Sequence, residues 1–175
     1  QGTGAHQSLN NPFEMQPAWA QAPLAFELRA LQSFAMCDTN VAVKWALRWQ
    51  EDEPFSSRPV ILATYLLSIL GCYDDAIILC RAGLVTNPGD ETLEQNLIYA
   101  LILSGNYAEA STRLFKMARR SPTPMAMANA GCLLLAEGNP EGRRYKEKVI
   151  EIFKDNGLHE RAPLAQVFLA LDFPL

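Results

Sequence analysis

The feature that most restricts what this chain can fold into is a spacing. Pro54, Pro88 and Pro122 stand thirty-four residues apart, and Ala42, Ala76 and Ala110 share that interval, each twelve residues before one of the prolines. The stretch "GCYDDAIILCRAGLVTNP", residues 71–88, lies over "GNYAEASTRLFKMARRSP", residues 105–122. Gly71 then falls on Gly105, Tyr73 on Tyr107, and Asp75-Ala76 on Glu109-Ala110. A fourth copy follows one residue short, where "ANAGCLLLAEGN", residues 128–139, parallels "NLIYALILSGN", residues 96–106. Self-similarity at this period means units that cannot each bury their own apolar face and therefore stack on one another.

Each unit reads as two helices. "RPVILATYLLSILG", residues 58–71, is apolar on most faces, as a helix enclosed by neighbours must be. Gly71 supplies a chain reversal, and Asp74 and Asp75 open the next helix, where carboxylates favour the positive end of the dipole. Ala76, Ile77, Cys80 and Leu84 then form an amphipathic stripe that Pro88 terminates. Gly105 and Gly138 take the place of Gly71 in the third and fourth units, while the first has Cys37-Asp38 there and no glycine. The small alanine marks where the two helices of a unit approach closely, and the fourth unit carries Arg143 at that place.

The thirty-four-residue unit, with Gly-x-Tyr-x-x-Ala at its turn and a closing proline, resembles the tetratricopeptide repeat. The resemblance implies an all-α fold, a right-handed α-solenoid of antiparallel helix pairs. It divides the chain into a mostly extended lead-in (1–22), four units (23–56, 57–90, 91–124 and 125–157) and a C-terminal capping helix with its tail (158–175). Leu164, Val167, Phe168 and Leu171 fall on one face of that last helix, which would cover the edge of the fourth unit or begin a further one. Phe13 and Trp19 are the lead-in residues able to pack.

Composition excludes several functions. The net charge is -4, and the two tight basic pairs, Arg119-Arg120 and Arg143-Arg144, sit among acidic neighbours, so nucleic acid is not an expected partner. No uncharged apolar run is long enough to span a membrane. The four cysteines, Cys37, Cys72, Cys80 and Cys132, form no C-x-x-C pair and read as reduced, buried thiols within apolar helical patterns. His6 and His159 have no partner at metal-ligand spacing. Glycine-rich phosphate loops, G-x-S-x-G and H-E-x-x-H are all lacking. Asp74-Asp75 and the "EDE" of residues 51–53 are explained by a helix start and an interhelix loop. The expectation is a protein without catalytic residues, metal or cofactor, placed in the cytoplasm if no signal peptide has been removed.

In the tetratricopeptide family the first helix of each unit lines a concave groove that holds a peptide or helix from a partner. Carried onto this sequence, the resemblance places Glu27, Leu31 and Phe34 there from the first unit, and Arg58, Ile61, Tyr65 and Ser68 from the second. The third contributes Gln95, Asn96, Tyr99 and Ile102, and the fourth Met125, Ala128, Asn129 and Cys132. The members that clamp a terminal carboxylate use lysines, an arginine and asparagines, of which this chain keeps only Asn96 and Asn129 in place. An apolar or amphipathic segment is the expected ligand. The implied role is a protein-interaction module or scaffold, similar in size to the short chaperones of bacterial secretion systems. Two other readings stay open: an accessory domain of a larger protein, including an enzyme, and a homodimer formed through end faces or through Trp45 and Trp49.

Overall fold

The computed structural model describes residues 25–120 and 123–155, and within them every regular element is a helix. The eight are α1 (Phe26–Ala35), α2 (Thr39–Asp52), α3 (Ser57–Ile69), α4 (Tyr73–Thr86), α5 (Glu91–Leu103), α6 (Tyr107–Arg120), α7 (Pro124–Ala136) and α8 (Gly142–Asp155). Expectations for the lead-in, the C-terminal helix, Pro122 and both histidines fall outside these residues.

The same turn is built four times from the same backbone bonds. Asp38, Cys72, Asn106 and Asn139 each donate their N–H to the carbonyl five residues back, on Ser33, Leu67, Leu101 and Leu134 respectively. That bond closes the last helical turn only if the residue before the donor takes a left-handed conformation. Gly71, Gly105 and Gly138 do so with φ of 76°, 82° and 77°, and Cys37 does so with φ of 60°. The first unit thus makes the turn without its glycine.

Helix starts follow side-chain acceptors. The Asp38 carboxylate accepts from the Val41 N–H, Asp90 from those of Thr92 and Leu93, and the Thr123 hydroxyl from that of Ala126, ahead of Pro124. Asp74 and Asp75 lie in the first turn of α4, and Glu109 in that of α6.

Each helix packs on the next along the chain, and α3, α5 and α7 also pack successively on one another. The first helices of the pairs therefore form one layer and the second helices lie behind it: an α-solenoid of four helix pairs. Ala42, Ala76 and Ala110 are completely buried where first and second helices meet. The core runs continuously through the layers, from Ala42 and Val43 by way of Leu66, Cys80, Leu97 and Leu101 to Leu114 and Leu133.

The fourth pair corrects the expectation of a bulky residue at its close approach. Gly142, one position before Arg143, is the buried residue there, and a Cβ on it would lie 2.4 Å from the Gly131 carbonyl oxygen. The shift has a backbone cause. In the first three pairs the alanine N–H bonds four residues back, to Asp38, Cys72 and Asn106. In the fourth, Gly142, Arg143 and Arg144 bond three residues back, to Asn139, Pro140 and Glu141. The tighter winding turns Gly142 inward and leaves Arg143 in solvent. Two further expectations change. Cys37 and Cys72 are exposed at turns, and only Cys80 and Cys132 are buried. Glu51 and Asp52 belong to the last turn of α2, with Glu51 paired to Arg48 at 2.8 Å.

Candidate binding surface

The residues expected to bind all lie on α1, α3, α5 and α7, the first helices of the pairs. At the first two pairs most of this face is accessible. Leu31 is 38% exposed, Arg58 is exposed, and Glu27, Phe34, Ile61 and Tyr65 are half-buried. Arg58 donates to the Glu27 carboxylate and stacks over the Trp49 ring, 5.1 Å from its centroid. Two helical turns further along, Phe34 and Tyr65 meet edge to face with centroids 5.9 Å apart. Burial raises the Tyr65 pKa, so its hydroxyl stays protonated and able to donate. This half of the face thus offers an ion pair at one end and apolar and aromatic surface at the other.

At the third and fourth pairs the same face is closed. Tyr99 is 5% exposed, Ile102 is completely buried, and Ala128, Asn129 and Cys132 are buried as well, as is Ser68 of the second pair. Met125 and Gln95 are half-buried. The asparagines have an occupation that sequence spacing could not reveal. Asn96 Nδ2 donates to the Ile61 carbonyl at 3.2 Å and to Thr64 Oγ1 at 3.0 Å. Asn129 Nδ2 donates to the Gln95 carbonyl at 3.2 Å, and Gln95 Nε2 donates to Thr123 Oγ1 at 3.1 Å. Each asparagine therefore ties its helix to the first helix of the preceding pair and fixes the register of the stack. In this arrangement Asn129 and Ile102 serve packing, and Asn96 has its amide hydrogens committed to α3.

Trp45 and Trp49 lie within the first pair. Trp49 is buried, while Trp45 is half-buried, stacked on Phe26 at 6.1 Å and covered by the Arg29 guanidinium at 4.8 Å.

A second concavity, with no counterpart in the sequence reading, lies on the opposite layer. It is a cleft of about 610 Å3 between α4 and α6, with Leu84, Val85 and Met117 among its walls and Arg81, Lys116 and Arg120 around them. Arg113 organises its base, bonding Glu109 at 2.8 Å and Glu94 at 2.9 Å, while Arg81 reaches Glu109 at 2.8 Å. Hydrogen bonding from Arg113 holds the Glu109 carboxyl below its ordinary range, and Arg81 adds to the effect. Burial disfavours the Arg113 charge, but its bonds to Glu109 and Glu94 outweigh that and the net shift is upward. The four residues bridge α4, α5 and α6, which makes this network a clasp between the second and third pairs.

Burial pushes the Cys80 thiol up to about 11, which leaves it un-ionised and poorly nucleophilic at neutral pH. Among the described residues no three ligating side chains converge as a metal site, and no helix is long and apolar enough to cross a membrane. No protein-family model matches the chain, and comparison with curated proteins finds no match either.

Proposed function

We propose that this chain is a non-catalytic protein-interaction module of tetratricopeptide type, acting as a scaffold that receives an amphipathic segment of a partner on the inner face of its first helices. The observation that carries the reading is the open half of that face. Leu31 and Arg58 are exposed there beside the Phe34–Tyr65 pair, so an apolar anchor and a polar handle stand within one surface. Arg58 is half-engaged by Glu27 and can exchange that partner for an acidic side chain on the incoming segment. The α-solenoid supports the reading because stacked helices present an extended, pre-formed surface at little ordering cost. A cytoplasmic setting fits the exposed Cys37 and Cys72, which stay reduced there.

The test is affinity capture from the source cells, with the full chain as bait, comparing wild type with Leu31→Asp/Arg58→Glu. Both sites lie at the surface, so the variant should keep its helicity; losing the Arg58–Glu27 pair and the Trp49 contact lowers its melting temperature slightly, and capture is run well below it. A partner held by the wild type and weakened at least ~10-fold in the variant is the expected result, since losing a central anchor removes 2 kcal/mol or more. Equal retention by both proteins, or no specific partner for either, would refute it.

A further inference from the structure

The cleft between α4 and α6 carries charges that the repeat does not call for. Thirty-four residues before Arg113, Lys116 and Arg120, at the equivalent positions of the preceding unit, stand Leu79, Ala82 and Thr86. Glu94 likewise falls on Val60, and only Glu109 has an acidic counterpart, in Asp75. The preceding unit stacks with uncharged residues at four of these five positions, so the charges are particular to this cleft.

Four carboxylates and four cations line it, but they are not equally committed. Glu94 and Glu109 are both bonded to Arg113, and Glu109 also to Arg81. Asp90 accepts from the N–H groups of Thr92 and Leu93, which holds its carboxylate against the start of α5. Lys116 and Arg120 are exposed, one turn apart on α6, and pair with no carboxylate among the described residues. Arg120 suits the negative C-terminal end of α6, but Lys116 stands a turn earlier, where the dipole gives no reason for it. Arg81 shares Glu109 with Arg113 and its side chain is 53% exposed, so it can turn to another anion while Glu109 stays paired. Against these stands Glu91 in the first turn of α5. The carboxylates are thus mostly consumed within the cleft, and cations are left over at its rim. Between them the walls are apolar: Val85 is 82% exposed, Leu84 half-buried and Met117 buried.

We propose that this cleft is a second binding site, which takes a short, acidic, amphipathic segment of a partner protein. An apolar side chain of that segment sits against Leu84, Val85 and Met117, and its carboxylates meet Lys116 and Arg120. Charge complementarity selects this occupant. A polyphosphate chain is disfavoured, because Asp90, Glu91, Glu94 and Glu109 line the same space and would face its phosphates. Discrete carboxylates on a peptide can be placed at the rim alone. The volume of about 610 Å3 falls within the ~300–1,000 Å3 of sites that enclose a compact ligand, which suits a few residues of a peptide. A second copy of this chain would instead need ~800 Å2 buried on each partner, far more than these three apolar side chains offer. The site lies on the layer behind the first helices, so it stands whether or not the first-helix face binds a partner.

The experiment selects a phage-displayed library of random short peptides on the full chain and measures the enriched peptides by fluorescence anisotropy. The expected consensus places Asp or Glu beside a large apolar residue. Binding should weaken at least ~10-fold in Lys116→Glu/Arg120→Glu, where two attractions become repulsions, and persist in Leu31→Asp/Arg58→Glu. Both cations are exposed, and Lys116→Gln/Arg120→Gln, which removes charge without reversing it, should still weaken binding ~3-fold or more. With p-benzoylphenylalanine in place of Val85, irradiation should crosslink the selected peptide to the chain. Enriched peptides lost only in Leu31→Asp/Arg58→Glu would belong to the first-helix face, and a selection yielding those alone would overturn the proposal. A basic or uncharged consensus, binding unchanged in both Lys116/Arg120 variants, no enriched peptide, or a crosslink to a second copy in place of the peptide would overturn it too.

Discussion

Cys37 carries a conformation that its counterparts leave to glycine. Its φ of 60° matches those of Gly71, Gly105 and Gly138, and it is exposed, so its side chain gains little packing in return. A β-carbon in the left-handed region costs about 1–2 kcal/mol, partly offset because glycine is more flexible when unfolded. Cys37→Gly should therefore raise stability by ~0.5–1 kcal/mol, seen as a higher midpoint in urea unfolding with an unchanged slope. A lower midpoint would mean that the thiol makes a contribution the turn geometry does not account for. The asparagines teach the complementary lesson at this scale. Asn96 and Asn129 fit a family position for ligand binding by number alone, yet their amides are aimed sideways at Ile61 and Gln95 carbonyls. A spacing identifies which helix turn a residue occupies, and an amide can face either of two directions from there.

At the level of elements, the fourth pair departs from the others at the entry of its second helix, which is wound more tightly although the turn before it is the same. Gly142 then becomes the closest approach to α7, with the Gly131 carbonyl and Leu135 against it. Gly142→Ala should destabilise by about 1–3 kcal/mol, because the obstructing atom is backbone and cannot rotate away. Thermal unfolding followed by circular dichroism would register this, and an unchanged or raised melting temperature would show that the two helices can separate without loss. Much of this level was legible in the sequence. The thirty-four-residue interval, the turn glycines and the acidic helix starts located the helices of the four pairs, since each rests on local backbone chemistry. The burial of Gly142 in place of the residue at 143 was not legible, because it depends on whether the first backbone bonds after the turn run four residues back or three. The Arg113 clasp and the cleft above it were equally hidden, since they join side chains from α4, α5 and α6 that share no sequence period.

Across the whole molecule, a stack of like units would be expected to present a uniform face, and this one does not. The same register that exposes Leu31 buries Tyr99 and Cys132, so the first-helix face is divided into an open half and a closed half. The resemblance to the tetratricopeptide repeat chose that face but had no means of seeing the division, because burial there depends on tertiary packing and not on the repeat itself. In the proposed reading a partner segment is received on the open half, while Tyr99, Ile102 and Cys132 of the closed half belong to the packed core. Hydroxyl-radical footprinting of the intact chain tests this division most directly, because it reads side-chain accessibility residue by residue. The account expects Leu31, Phe34 and Tyr65 to be modified readily, while Tyr99 and Ile102 remain protected until the fold is lost. Modification of Tyr99 at the rate of Tyr65, or protection of Leu31 at the level of Tyr99, would contradict it.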